Sequence, residues 1–254
     1  GKDGRLWIGS NVAGFQHFEL ETGTVKHYLH DPDNFNSLND DWVQCIYEDR
    51  SGIVWVGTYK KGLNRFDPLT ETFSHSPPDP KDPTSLSDQR VWKIYEDRSG
   101  TLWIGTTVGL NRMIVQDGEI SFEQFLNDPD DPESLSDNKV ITIYEDRSGT
   151  LWVGSNKGLN KWLGEGRFKR YYSDFDNPNS LPHDMITFIT EDDAGNLWIG
   201  TNGGLVPLDP ETETFTRYTR NEGLTNDSIS GLLFDDDGTL WITSKGGLTS
   251  FPPV

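Results

Sequence analysis

One short motif, Leu/Val-Trp-Ile/Val-Gly/Thr, occurs six times along the chain. It stands at Leu6-Trp7-Ile8-Gly9, Val54-Trp55-Val56-Gly57, Leu102-Trp103-Ile104-Gly105, Leu151-Trp152-Val153-Gly154, Leu197-Trp198-Ile199-Gly200 and Leu240-Trp241-Ile242-Thr243. The tryptophans at 7, 55, 103, 152, 198 and 241 are separated by 48, 48, 49, 46 and 43 residues. A fixed period of this length marks a repeat architecture, in which each unit covers its apolar faces by stacking on the next.

Each unit reads as four strands, A to D. Strand A is apolar and ends in acid, as in Val91-Trp92-Lys93-Ile94-Tyr95-Glu96-Asp97, and a tight Arg98-Ser99-Gly100 turn leads into the Trp strand B. A short Gly-containing loop precedes strand C (Gly62 to Asp67), and a second turn leads to an aromatic strand D (Thr72 to His75). Polar linkers such as Asp128 to Asp137 then open the next unit. Val, Ile, Trp, Tyr and Thr beside Gly favour strands, and no long 3.6-residue period supports a helical solenoid. A β-helix would use shorter coils. The expected fold is therefore all-β, a β-propeller of four-stranded antiparallel blades.

About six blades are represented, near residues 3–30, 42–76, 90–126, 139–173, 185–219 and 228–251. The count is five A, six B, six C and five D strands, so four blades are complete and the terminal two have three strands each. The chain opens inside a repeat, with no signal-peptide pattern. The expectation is a portion of a longer array, with any leader or anchor lying upstream.

Composition agrees. Hydrophobic residues make up 33% of the 254 positions, while aromatics reach 12% with nine Trp, which suits short strands packed by rings. The net charge of −19 makes nucleic acid and anionic lipid poor partners. No apolar run approaches the roughly 18 residues that span a bilayer, so no membrane insertion is expected of this segment. The single cysteine, Cys45, excludes an intrachain disulfide and reads as a small hydrophobe on a buried strand.

These residues resemble the two-component regulator propeller repeat, whose pattern runs close to I-Y-E-D-R-S-G-x-L-W-I-G-T-x-x-G-L-N-R-[FY]-D, then N-S-L-S. Ile46 to Asp67, Ile94 to Asn111 and Ile143 to Asn160 follow it closely, and the linker signature recurs at Asn36-Ser37-Leu38, Thr84-Ser85-Leu86, Glu133-Ser134-Leu135 and Asn179-Ser180-Leu181. The resemblance implies the periplasmic or extracellular sensor region of a hybrid histidine kinase, of a kind that responds to oligosaccharides. It also implies a non-catalytic module, since any kinase segment would lie outside these residues.

Motifs that recur once per blade read as scaffold. Asp49, Asp97 and Asp146 begin tight turns, where Asp and Ser cap backbone N–H groups and Gly supplies positive φ. The strand-end acids Glu48, Glu96, Glu145 and Glu191 repeat at one position, with Phe234 in the last unit, and are expected to hydrogen-bond within the adjacent turn. No unique carboxylate pair, nucleophile motif or metal-ligand spacing among His17, His27, His30, His75 and His183 is evident. His27 and His75 are expected to be exposed on strand D. No cofactor is expected, and calcium at the Asp/Asn linkers is the one ion to consider, although no spacing matches an EF-hand.

A ligand should use what does not repeat. In a propeller the linkers before strand A and the B–C loops share one face. There the sequence places Trp42, Tyr59, Lys60, Gln89, Arg90, Asn138, Lys139, Asn156, Lys157 and Asn202. Aromatic faces, amides and cations together suit an oligosaccharide or another small polar ligand. Two other classes compete: an interaction scaffold that forms a homodimer or pairs with an adjoining propeller, and a polysaccharide lyase or hydrolase.

Overall fold

The computed structural model describes residues 5–209 and 212–252. The described residues form six small antiparallel sheets and one 3-10 turn at Arg220–Glu222. They group into two compact units, Gly1–Phe125 and Leu126–Val254. The fold belongs to the β-propeller class, and each unit carries three blades.

In the first unit, blade 1 is β1 (Arg5–Gly9), β2 (Phe15–Glu19) and β3 (Val25–Tyr28). Blade 2 is β4 (Val43–Glu48), β5 (Val54–Thr58), β6 (Leu63–Asp67) and β7 (Thr72–Ser76). Blade 3 is β8 (Val91–Glu96), β9 (Leu102–Thr106), β10 (Gly109–Gln116) and β11 (Glu119–Phe125). In the second unit, blade 4 is β12 (Val140–Glu145), β13 (Leu151–Ser155), β14 (Gly158–Gly164) and β15 (Arg167–Tyr171). Blade 5 is β16 (Ile186–Glu191), β17 (Leu197–Thr201), β18 (Gly204–Asp209) and β19 (Thr214–Phe215). Blade 6 is β20 (Ile229–Phe234), β21 (Leu240–Ser244) and β22 (Gly247–Phe251). Every sheet is a meander in chain order, so the strand count read from sequence holds, with four complete blades and two of three strands.

The core lies between blades. Side chains alternate across a strand, so β5 sends Val54 and Val56 to one neighbour and Trp55 to the other. Val54 and Val56 pack with Phe15 and Trp7 of blade 1, whereas Trp55 packs with Ile94, Leu102 and Ile104 of blade 3. Blade 5 repeats this: Leu197 and Ile199 meet Trp152 of blade 4, and Trp198 meets Leu240 and Ile242 of blade 6. All five residues of β5 and of β17 are buried, which explains strands that are apolar on both faces. In β21 the alternate residues are exposed, Trp241 at 38%.

Buried polar residues hold the linkers to the blades. Asn64, Asn111 and Asn160 are fully buried. Each donates Nδ2 to the facing strand-B carbonyl, of Val56, Ile104 or Val153, and accepts a linker N–H, from Asn39, Ser87 or Ser136. The linker serines close their own loops: Ser37, Ser85, Ser134 and Ser180 accept the N–H of the aspartate six residues earlier. Asx turns consume the linker carboxylates, with Asp31, Asp128 and Asp174 each accepting an N–H two residues on. Among the described residues no three His, Cys, Asp or Glu side chains lie close enough to hold a metal ion.

The recurring aspartate has a larger task than the turn alone. Asp49 Oδ1 accepts the N–H groups of Ser51 and Ile53, and its Oδ2 accepts Trp55 Nε1 at 2.7 Å. Asp97, Asp146, Asp192 and Asp235 make the same indole bond to Trp103, Trp152, Trp198 and Trp241 at 2.7–3.0 Å. The strand-end acids differ from expectation. Glu96 accepts Arg50 N at 3.0 Å and Tyr47 Oη at 3.4 Å, and Glu191 accepts Arg147 N at 2.9 Å and Tyr144 Oη at 3.4 Å. Both bonds come from the preceding blade, so this acid locks blade to blade and not its own turn. Cys45 is only partly buried as a residue, yet its sulfur lies 3.9 Å from Val91 O, and burial pushes the thiol up to about 12. His27 is exposed as expected, whereas His75 is half-buried and its Nε2 bonds Ser37 O at 2.8 Å.

A second clasp uses the turn between strands C and D. Glu71, Asp117, Glu165 and Glu213 stand there with φ of 52–57°, in the left-handed region that side chains seldom adopt. Glu71 reaches back to Lys26 and Tyr28 of blade 1, and Glu213 to Lys161 and Lys169 of blade 4. Burial raises the Glu213 carboxyl, but the lysine hydrogen bonds outweigh it and bring its pKa from 4.5 to about 2. A carboxyl whose folded pKa is depressed contributes stability that is complete above its ordinary pKa and lost as pH falls toward the folded value. Discounted for solvent screening, Glu213→Gln should therefore cost about 1 kcal/mol at neutral pH, and that cost should shrink between pH 4.5 and 2. Thermal unfolding of both proteins across that range measures it; a cost independent of pH would refute the ion pairing.

Candidate functional site

In the first unit the structure brings four of the expected residues together. Trp42 precedes β4, Tyr59 and Lys60 follow β5, and Arg90 precedes β8. Tyr59 N donates to Trp42 O at 3.0 Å, which sets the two side chains alongside one another. Their rings stack at 4.1 Å between centroids with 13° between planes. The Arg90 guanidinium lies 3.9 Å from the Tyr59 centroid, and Lys60 Nζ lies 5.7 Å from that of Trp42.

Aspartates of the linkers fix the backbone beneath this stack. Asp40 accepts Trp42 N at 3.4 Å and Lys60 N at 3.1 Å through its two oxygens, and Asp88 accepts Arg90 N at 3.0 Å. Trp42 Nε1 donates to Gln44 Oε1 at 3.1 Å. Arg90 Nε is shielded and has no acceptor on the protein. A buried donor without an acceptor costs on the order of 1–3 kcal/mol, so a ligand oxygen at this atom would recover free energy.

One member was missed. Trp92 lies 6.0 Å from the Arg90 guanidinium, and its Nε1 donates to Thr107 Oγ1 at 3.1 Å. It reads in the sequence as an ordinary apolar strand residue. The register between β8 and β9 shifts between Val91 and Lys93, and Trp92 is the extra residue of that bulge. The same shift recurs at Gln44, Ile141, Thr187 and Ser230. That position varies within an otherwise regular strand, which is the signal that could have marked it.

The remaining expected residues are not part of the stack. Gln89 is exposed and its carbonyl accepts Gly62 N at 2.8 Å. In the second unit, Asn138 Oδ1 accepts Asn127 N at 2.6 Å, Asn156 N donates to Lys139 O at 3.0 Å, and Lys157 Nζ lies 3.4 Å from Asp137. Asn202 is engaged on both sides, donating to Met185 Sδ at 2.9 Å and accepting Ser228 Oγ at 3.0 Å. The histidines lie elsewhere: His17 against Trp7, His30 on Leu38 O and His183 on Met185 N.

The blades and their repeated clasps define a repeat propeller of short antiparallel sheets. The two-component regulator propeller repeat matches residues 37–60, 85–107, 134–157, 180–203 and 223–246, and the chain belongs to that family. No curated protein matches it significantly. Among solved structures it is similar to the extracellular domain of a hybrid two-component system protein from B. thetaiotaomicron, at 24% identity and a TM-score of 0.79. That match covers 98% of this chain and 32% of the other. PorZ, a surface component of the type-IX secretion system of Porphyromonas gingivalis, matches at 18% identity and a TM-score of 0.76, over 99% and 37%. Virginiamycin B lyase from Staphylococcus aureus matches at 16% identity and 0.69, over 99% and 82%. The chain thus spans about a third of the length of the first two. No helix among the described residues is long and apolar enough to cross a membrane.

Proposed function

We propose that this chain is the ligand-recognising propeller of an extracytoplasmic two-component sensor, and that the Trp42–Tyr59–Arg90 stack binds an oligosaccharide. The observation that carries the reading is the cation-capped ring pair with the unpartnered Arg90 Nε at its edge. Aromatic faces accept the C–H surface of a sugar ring, and Arg90 and Lys60 offer donors to its hydroxyls or carboxylates. The repeat family and the extracellular neighbour support a sensor outside the cytoplasm. The reading is of a non-catalytic module. The strand-end acids Glu96 and Glu191 are occupied in blade clasps, and a fold shared with a lyase at 16% identity decides no chemistry. A matching oligosaccharide from a broad glycan panel should raise the melting temperature by several degrees, and Trp42→Ala with Arg90→Ala should abolish the rise. A panel without a single stabilising glycan would sink the reading.

A second reading, association of two copies, rests on exposed apolar faces. Leu233, Trp241 and Leu248 of blade 6 are 66%, 38% and 59% exposed, and Leu6 and Ile8 of blade 1 are 44% and 37% exposed. Leu6 and Ile8 are the repeat counterparts of Leu102 and Ile104, which cover Trp55. A second copy could cover Trp241 with them in the same manner. Light scattering should then show a mass that rises with concentration without added ligand; a constant monomer mass excludes this reading.

A further inference from the structure

The chain holds 41 Asp and Glu residues against 22 Lys and Arg. In such a surplus a cation readily finds a carboxylate: Arg112 pairs with Glu123, Arg147 with Asp193 and Arg220 with Asp227. Arg90 is half-buried and yet pairs with no carboxylate among the described residues, and its guanidinium makes no hydrogen bond to them. Lys60 likewise has no ion pair among them. The linker acids beneath the stack serve backbone N–H groups instead, Asp40 those of Trp42 and Lys60, and Asp88 that of Arg90 itself.

Two rings hold the guanidinium. Its carbon lies 3.9 Å from the Tyr59 centroid and 6.0 Å from that of Trp92. Seated over a ring face, a guanidinium uses its π surface and leaves its in-plane N–H donors unused. Nε is one of these, shielded from water and without an acceptor. The shape of that edge sets its partner. A planar fork of parallel N–H bonds matches the two oxygens of a carboxylate, whereas a hydroxyl meets a single donor. Ring stacking offers a ligand less, because Tyr59 is covered by Trp42 at 4.1 Å on one face and by Arg90 on the other.

We propose, on the strength of the oligosaccharide reading above, that the ligand of the stack carries a hexuronate residue whose carboxylate docks on the unused in-plane edge of Arg90. The Lys60 ammonium adds positive charge on the Trp42 side. Two cations left without carboxylates beside one ring pair, on a chain of net charge −19, make a local field suited to an anion.

Matched pairs of sugars test this. Uronate di- to tetrasaccharides of the gluco, galacto and manno series are each compared with the carboxyl-reduced form, in which a hydroxymethyl group replaces the carboxylate at unchanged stereochemistry. Titrated calorimetrically into the whole chain, at least one acid should bind roughly tenfold more tightly than its reduced form. Arg90→Gln should bring the two members of that pair to within about threefold of each other. Lys60→Gln, at an exposed side chain, should weaken the acid several-fold and leave the reduced form unmoved. Melting temperatures equal to the parent's establish that both variants fold, and the pair in the parent chain together with Lys60→Gln carries the test if Arg90→Gln does not. A reduced or neutral sugar bound as tightly as the acid, or a sulfated one bound in preference, overturns the hexuronate and leaves the oligosaccharide reading standing. Undiminished preference for the acid in Arg90→Gln overturns the docking at Arg90, and binding of no sugar at all overturns both.

Discussion

The fold depends on one close approach, repeated from blade to blade. In blades 1, 2, 4 and 5 strand B carries a glycine, and the first residue of the next blade's strand A lies directly on it. A Cβ on Gly57 would stand 2.6 Å from Val91 Cγ1, and one on Gly154 would stand 2.6 Å from Ile186 Cγ2. Gly9 and Gly200 meet Val43 and Ile229 in the same way, at 2.5 and 2.8 Å. Only without a Cβ can the β-branched residue seat there, and a methyl group at this point would overpack the junction at a cost of about 1–3 kcal/mol. Trp55, Trp152 and Trp198, two residues before Gly57, Gly154 and Gly200, are buried where this contact draws the blades together. Blade 6 inverts the pair: Thr243 stands where the glycine was, and Gly231 on the facing strand makes room for it, so that a Cβ there would lie 2.8 Å from Thr243 Oγ1.

Most of the scaffold was legible because its causes are local. The tight turn needs Asp, Ser and Gly at fixed offsets, and strand B needs apolar side chains on both faces, so period, strand count and turn positions all follow from the residues. What stayed hidden required knowledge of which atoms face each other across a junction. Glu96 and Glu191 looked like turn residues, yet their partners are 44–46 positions away on the preceding blade. Arg50 and Arg147 stand in the same kind of turn, and their reach to backbone carbonyls of the next blade is not visible in the sequence.

The candidate site shows the same limit in sharper form. Trp42, Tyr59, Lys60 and Arg90 could be selected because they fail to repeat, but failing to repeat does not say which ones meet. Their meeting depends on the Tyr59 N to Trp42 O bond and on the bulge at Trp92, neither of which a spacing rule encodes. Asn202 satisfies the same selection rule and is nevertheless consumed by Met185 and Ser228. Non-repetition is thus a necessary mark of a site in such an array and not a sufficient one.

The net charge of −19 sets how a charged ligand meets the Trp42 stack. An acidic oligosaccharide approaching the Trp42 stack is repelled at a distance and attracted only at contact by Arg90 and Lys60. At physiological ionic strength the field is screened beyond about 8 Å, so repulsion slows encounter more than it weakens the bound state. Added salt should then quicken capture of an acidic sugar, while a neutral sugar, held by ring faces and by the Arg90 Nε, should be indifferent to it. The salt dependence of association thereby separates an acidic from a neutral ligand at the stack before either is identified.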